Sequence, residues 1–476
     1  MLGKNWFESK IARAALGAFS VLAAIGGYGF MNASQASQSM DFSSVAPAAV
    51  QSPADRDMVL NDAKSAKQQS GGSVLLNDPF IKLKWGLVKT DATKAWEVTQ
   101  GSKDIVVAVI DTGIDVNHKD LAGNLWVNPG ETGADANGHD KATNGIDDDG
   151  DGFIDDVHGW NFVSNNNSLT DNHGHGTHIA GIIGANGEKG SGLKGVAPKV
   201  SLMVLKYYDP KVANSNNLRN TVEAIKFAVK MHANIINYSG GGTDYSAEEF
   251  AAVKEAEKAG ILFVAAAGNE KSNSDESGKH YYPADYGLSN IISVTAVNKE
   301  ETKVLASSNY GVRTVDLAAP GENIYSTLPN NSFGMMTGTS QATAFVTGVA
   351  ALVMAHQREF SYTDVKKYIL RTGDEYSTLL SKTGSAKLLN SYKALTSLDV
   401  GVGLTGVVAT NAAGAGKKAF NSDSNIKDPK LNTSAMNTSG DSGEEPAEAI
   451  AMFGKDFLHA ISSGHLDTET QELKKR

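Results

Sequence analysis

Four short strings in the chain set reactive side chains among small residues. Asp111 lies in VAVIDTGID, His175 in HGHGTHIAGIIGA, Asn269 ends ILFVAAAGN, and Ser340 lies in MTGTSQATAFVTGVAALVMA. An imidazole is the natural general base near neutral pH, and a carboxylate at its second nitrogen fixes the tautomer and stabilises the imidazolium formed during a reaction. A serine at a helix N-terminus aims its unbonded backbone N–H at a reacting group, which is half of an oxyanion hole, and the Asn269 amide can donate the other half. Taken singly, each residue has a plainer reading. Asp-Thr-Gly and Asn form turns, Ser340 suits an N-cap, and His173, His175 and His178 form a cluster of possible zinc ligands. The zinc reading lacks an HExxH string and carboxylates at matching spacing. A G-x-S-x-G elbow is absent, because Ala342 stands where its last glycine would be.

Such groups need elements to hold them. Short, β-branched apolar runs recur at Ile105–Ile110, Val200–Leu205, Asn234–Tyr238, Ile261–Ala266 and Ile291–Thr295. Between them, Thr221–His232 and Ala247–Ala259 carry helical spacing, the second ended by Gly260. Continuous apolar strands imply burial on both faces, so the alternation predicts an α/β fold: a largely parallel β-sheet sandwiched by helices in three layers. Ligands of such sheets bind beyond the carboxyl ends of the strands, and Asp111 directly follows one predicted strand.

The order Asp, His, Asn, Ser, with each residue beside a suitable element, resembles the subtilisin-like (subtilase) serine proteases. VAVIDTGID, HGHGTHIAG, IINYSGGG, VAAAGN and GTSQATA carry the resemblance over roughly residues 77–397. It implies Ser340 as nucleophile, His175 as general base and then acid, Asp111 as orienting carboxylate, and Asn269 with the Ser340 N–H as oxyanion donors. It further implies that Ser239, Gly240 and Gly241 form an edge against which an extended polypeptide substrate pairs, as in a broad endopeptidase. The chain departs from the family after the nucleophile, where Gln341, Ala342, Thr343, Ala344 and Phe345 replace the usual Met-Ala-Thr-Pro-His. That departure could shift the helix start or the leaving-group side, and it keeps open a binding protein built on an inactive protease scaffold.

Between the Asp and His strings lies NGIDDDGDGFIDDVHGWNF. Asp147, Asp149 and Asp151 alternate before Gly152, as in the first half of a D-x-D-x-D-G calcium loop, and Phe153 is placed to offer its carbonyl. His158 stands where an EF-hand has its glutamate, leaving Asp156 or Asp155 as the replacement carboxylate. So many aspartates repel one another without a cation, and hard Ca²⁺ is the fitting one, in a structural role. Similar inserts occur in bacterial members of the family.

The rest of the chain bounds the setting. With 43 basic and 53 acidic residues, a net charge of −10 gives no electrostatic footprint for nucleic acid. The absence of cysteine excludes disulfides and thiol catalysis. Lys4, Lys10 and Arg13 precede an uncharged run from Ala14 to Phe30 and the string ASQA, which reads as a signal peptide over residues 1–36. This predicts an exported chain, extracellular or periplasmic, that meets a membrane only during export and works as a monomer. Residues 37–76 read as a short pro-segment or linker, 77–397 as the catalytic domain, and 398–476 as a C-terminal extension with one amphipathic stretch near Ile450.

Overall fold

The structure, a computed structural model, describes residues 81–187 and 193–397. The expected signal peptide, pro-segment and C-terminal extension lie outside the described residues. A 3₁₀ turn at Ile81–Lys84 is followed by α1 (Trp85–Lys89), α2 (Ala92–Ala95) and β1 (Gly101–Asp111). After the acidic insert come β2 (Gly159–Asn161), α3 (His175–Gly184), β3 (Lys199–Lys206), α4 (Asn217–Lys230), β4 (Ile235–Tyr238) and α5 (Ala247–Lys258). The chain continues through β5 (Leu262–Ala266), β6 (Ile291–Val297), β7 (Leu317–Pro320), β8 (Ile324–Leu328) and β9 (Ser332–Met336). It closes with α6 (Thr339–His356), α7 (Tyr362–Thr372), β10 (Asp374–Glu375), β11 (Lys387–Leu388) and α8 (Ser391–Thr396).

One sheet runs in the order β10-β11-β7-β6-β5-β4-β1-β3-β2, and every pairing is parallel except β10 with β11. Strand β8 pairs with β9 in a separate antiparallel hairpin. Alternation along the strands divides the core. Val107 and Val109 of β1 pack on the α3 and α6 side with Ile179 and Val346, whereas Ala108 and Ile110 face α4 and α5 with Ile225 and Val253. Both faces of the sheet are therefore buried, which is why its strands read as unbroken apolar runs and why the three-layer α/β architecture holds. Each fully buried Ile or Phe contributes about 1.5–3 kcal/mol.

Helix α6 runs beneath the sheet, against β1 and β4 through β7, and is buried on all sides from Thr339 to Val353. Its small residues make this possible: a side chain at Gly348 would meet Val196 at 2.5 Å. The Gln341–Phe345 departure leaves the helix start at Thr339. Ala344 and Phe345 are buried, and the Phe345 ring lies where a side chain at Gly86 of α1 would have to go. The N-terminal helix thus accommodates the bulk that phenylalanine adds.

The expected strands and helices all form, with shifted ends. Helix α4 begins four residues before Thr221, capped by the Asn216 side chain, which accepts from Arg219 N at 3.0 Å. The polar stretch Asn217–Asn220 hides that start from a hydrophobic-periodicity reading. Strands β7, β10 and β11 are too short to carry a pattern, and β9 has no buried residue. No helix among the described residues is long and apolar enough to cross a membrane.

Candidate active site

Three adjacent strands, in the order β5-β4-β1, deliver the predicted residues at their carboxyl ends. Asp111 is the last residue of β1, Ser239 follows β4, and Asn269 lies just beyond β5. His175 and Ser340 sit in the first turns of α3 and α6, which pack against each other.

His175 Nδ1 donates to Asp111 Oδ1 at 2.7 Å, with Asp111 only 1% and His175 8% exposed. The same oxygen accepts from Thr112 N at 2.8 Å, while Asp111 Oδ2 is buried without a hydrogen-bonding partner. Burial pulls the imidazole's pKa down, but the charge and hydrogen bond of Asp111 push harder, so it lies above the ordinary value of 6.5. A residue that sequence reasoning missed places the histidine. Asp171 accepts from the backbone N–H groups of His173 (3.0 Å), Gly174 (2.7 Å) and Thr177 (2.9 Å), and so caps α3. It also accepts from Thr112 Oγ1 at 2.8 Å, and Thr112 Oγ1 in turn accepts from Gly176 N at 2.9 Å. The start of α3 is thereby fastened to the end of β1. The available signal was an aspartate shortly before a helix start, in DNHGHGTH.

The neighbouring histidines have other tasks. His178 Nε2 bonds Ile324 O at 2.9 Å, and burial followed by the charge of His175 lowers its pKa to about 3. His173 is lowered by the same two causes. The three do not form a metal-binding group: among the described residues, the two converging sets of ligand atoms centre on the aspartates of the acidic insert and contain no histidine.

Ser340 Oγ donates to Ser239 O at 3.0 Å, and Ser239 Oγ donates to Ser340 O at 3.3 Å. A buried polar chain continues from there. Asn237 Nδ2 donates to Ser239 Oγ at 3.2 Å, and Thr347 Oγ1 donates to Asn237 Oδ1 at 2.8 Å, pinning α6 to β4. Asn269 Oδ1 accepts from Thr339 N at 3.1 Å and Thr339 Oγ1 at 3.3 Å. Its carbonyl end is thus fixed on the residue before Ser340, which turns Nδ2 away as a donor. The glycines at 240 and 241 are required from beneath. A side chain at Gly240 would overlap the Tyr207 hydroxyl, and one at Gly241 would meet Tyr281 and the Tyr282 carbonyl at 2.5 Å.

In the insert, Glu131, Asp147 and Asp149 converge in one set of ligand atoms, and Asp149, Asp151 and Asp156 in another. The single expected loop therefore divides into two groups that share Asp149, with Glu131 added. Glu131 lies upstream of the aspartate string, so loop spacing could not reveal it. Asp147 accepts from Gly150 N (2.7 Å) and Gly152 N (2.8 Å), and Asp151 accepts from Phe153 N (2.8 Å). Glu131 Oε2, Asp151 Oδ2 and Asp156 Oδ2 are buried without hydrogen-bonding partners. Burial, reinforced by the charges of Asp151, Asp149 and Glu131, pushes Asp156 up to about 7 despite a bond from Asn128 Nδ2 at 2.7 Å. Gly130 has no room for a side chain, which would overlap the Asp149 carboxylate. Asp151 Oδ2 lies 3.8 Å from Lys230 Nζ, but the unpartnered Glu131 Oε2 and Asp156 Oδ2 in a tight cradle fit a hard divalent cation. The Phe153 ring packs edge-on against Trp160 and Phe227 and ties the insert to the α4 side of the core.

Comparison with known proteins agrees with this architecture. The Subtilase family profile matches residues 102–395. Thermitase of Thermoactinomyces vulgaris is 32% identical over 320 residues, covering 67% of this chain and 98% of that protein. The major intracellular serine protease of Bacillus subtilis (strain 168) is 34% identical over 292 residues, covering 60% of this chain and 81% of that one. Subtilisin-like protease 1 of Plasmodium berghei (strain Anka) is 31% identical over 353 residues, covering 70% of this chain, which spans 57% of the length of that relative. The chain belongs to the subtilase family of serine endopeptidases.

Proposed function

We propose that the chain is an exported, calcium-stabilised endopeptidase that acts as a monomer on extended polypeptides, with a pro-segment removed on maturation. Ser340 is the nucleophile. Its hydroxyl leaves Ser239 O for Nε2 of His175, which takes the proton as Oγ attacks the peptide carbonyl carbon. The carbonyl π electrons move to oxygen, where Asn269 Nδ2 and the Ser340 N–H stabilise the charge. Collapse breaks the C–N bond, His175 returns its proton to the departing amine, and an acyl-enzyme remains. Water then repeats the sequence with His175 as base and releases the acid. Ser239, Gly240 and Gly241 offer the backbone edge for the substrate. The observation that supports this reading most is the buried Asp111–His175 pair at 2.7 Å, set at the carboxyl end of β1.

Its test is the pH dependence of casein hydrolysis. Because Asp111 holds the His175 pKa above 6.5, the base is protonated at and below that pH and active only above its raised value. The rising limb of kcat/KM should therefore have its midpoint above pH 6.5. A midpoint at or below that value would contradict the assignment.

Calcium would be held by Asp147, Asp149, Asp151 and Asp156, with the Phe153 carbonyl and Glu131 as further oxygen donors. When bound, it supplies charge neutralisation and cross-links the insert. A cation at about 1,000 times its Kd adds about 4 kcal/mol to stability. For a domain of this size that is about 6 °C in Tm. Chelation should lower Tm by that order, with calcium restoring it; an unchanged melting curve would remove the calcium reading.

A further inference from the structure

One buried charge near the site takes no part in the proposed chemistry. Lys206 is the last residue of β3 and lies in register with Asp111, the last residue of β1. It is 1% exposed, and a buried ammonium is costly unless it is paired and hydrogen-bonded. Its Nζ donates to Asp209 Oδ2 at 2.7 Å and to Thr170 O at 2.5 Å. Asp209 is buried as well, and the same oxygen accepts from Asn172 Nδ2 at 2.8 Å. The ion pair therefore grips residues 170 and 172, one on each side of Asp171.

Residues 170–172 belong to no helix or strand, so no ladder of backbone bonds fixes them. Asp171, held between the two gripped residues, accepts from the backbone N–H groups of His173, Gly174 and Thr177 and so sets where α3 begins. His175 is the first residue of that helix. Burial lowers the His175 pKa; Asp111 raises it, and the charge of Asp171 adds to that rise.

We propose that Lys206 is a positioning residue for the general base: shared between Thr170 O and Asp209, its ammonium clamps segment 170–172, which holds Asp171 at the start of α3 and with it His175 against Asp111. The inference rests on the protease reading above. Lys206 touches no reacting atom and acts through Asp171.

The test compares the full chain in calcium buffer with Lys206→Met and with the double variant Lys206→Met, Asp209→Asn. Methionine keeps an unbranched stem without the ammonium. Alone it leaves Asp209 a buried, unpaired charge and should lower Tm, whereas the double variant removes one charge of each sign and should melt near the wild type. In casein hydrolysis the folded double variant should lose about 100-fold in kcat, as expected of a base displaced by about 1 Å, with KM nearly unchanged. The midpoint of its pH profile should lie below that of the wild type, because Asp171 has moved away from the imidazole. Asp111, His173 and His178, the other titratable groups that bear on His175, are untouched. Hydrogen exchange should quicken in residues 170–177 and keep its wild-type rate in α6. A folded double variant with wild-type kcat, or one that loses activity with its pH midpoint and the exchange at 170–177 unmoved, overturns the inference while the protease reading stands. Failure of both variants to fold would make Lys206 a residue of folding and overturn the positioning role. If a fluorophosphonate does not label the wild type and casein is not cleaved, the protease reading fails and this inference with it.

Discussion

Ser340→Ala and His175→Ala are each expected to lower kcat about 10⁶-fold, and combining them should cost little more, because nucleophile and base act as one unit. The non-additivity is the informative part. Two residues acting independently would multiply their losses, whereas one that removes the proton from the other loses its use when the partner is gone. Ser340 is suited to this test, since alanine keeps the helical backbone and the N–H in the first turn of α6. The hydroxyl's bond to Ser239 O at 3.0 Å is lost, while the Thr347–Asn237 bond that ties α6 to β4 remains. Circular dichroism and Tm should therefore stay near wild type. Multiplicative losses in kcat would separate the two residues and contradict the proposed chemistry.

Asp111→Asn is expected to lower kcat about 10⁴-fold with the fold retained. Asn preserves the shape of a buried side chain at the end of β1 but removes the charge that favours the imidazolium, and its amide can hold His175 in the wrong tautomer. The pH profile gives a second, independent readout. Burial alone lowers the His175 pKa, and Asp111 supplies the largest opposing cause, so without the carboxylate the residual activity should rise with a midpoint below pH 6.5. Loss of activity with an unmoved midpoint would mean that Asp111 is structural only.

The sequence carried the fold well where burial writes a pattern. Strands covered on both faces read as continuous apolar runs, and β1, β3, β4, β5 and β6 all formed close to where those runs lie. Two-residue strands such as β10, and the polar first turn of α4, leave no such trace. The site divides in the same way. Asp111, His175, Ser340 and Asn269 stand in strings whose small neighbours announce close packing. The residues that hold them do not: Asp171, Thr112, Asn237 and Thr347 become meaningful only when β1, β4, α3 and α6 are brought together. Glu131 joins the acidic insert only through the fold. Long-range placement of ordinary residue types is what spacing along a chain cannot encode.

The central claim is tested most directly by treating the full chain, in calcium buffer, with a fluorophosphonate and locating the adduct by mass spectrometry. The account predicts one covalent phosphonyl adduct, on Ser340 Oγ, that is lost in His175→Ala. A folded, casein-cleaving protein that leaves Ser340 unmodified, or carries the adduct on another residue, would contradict it.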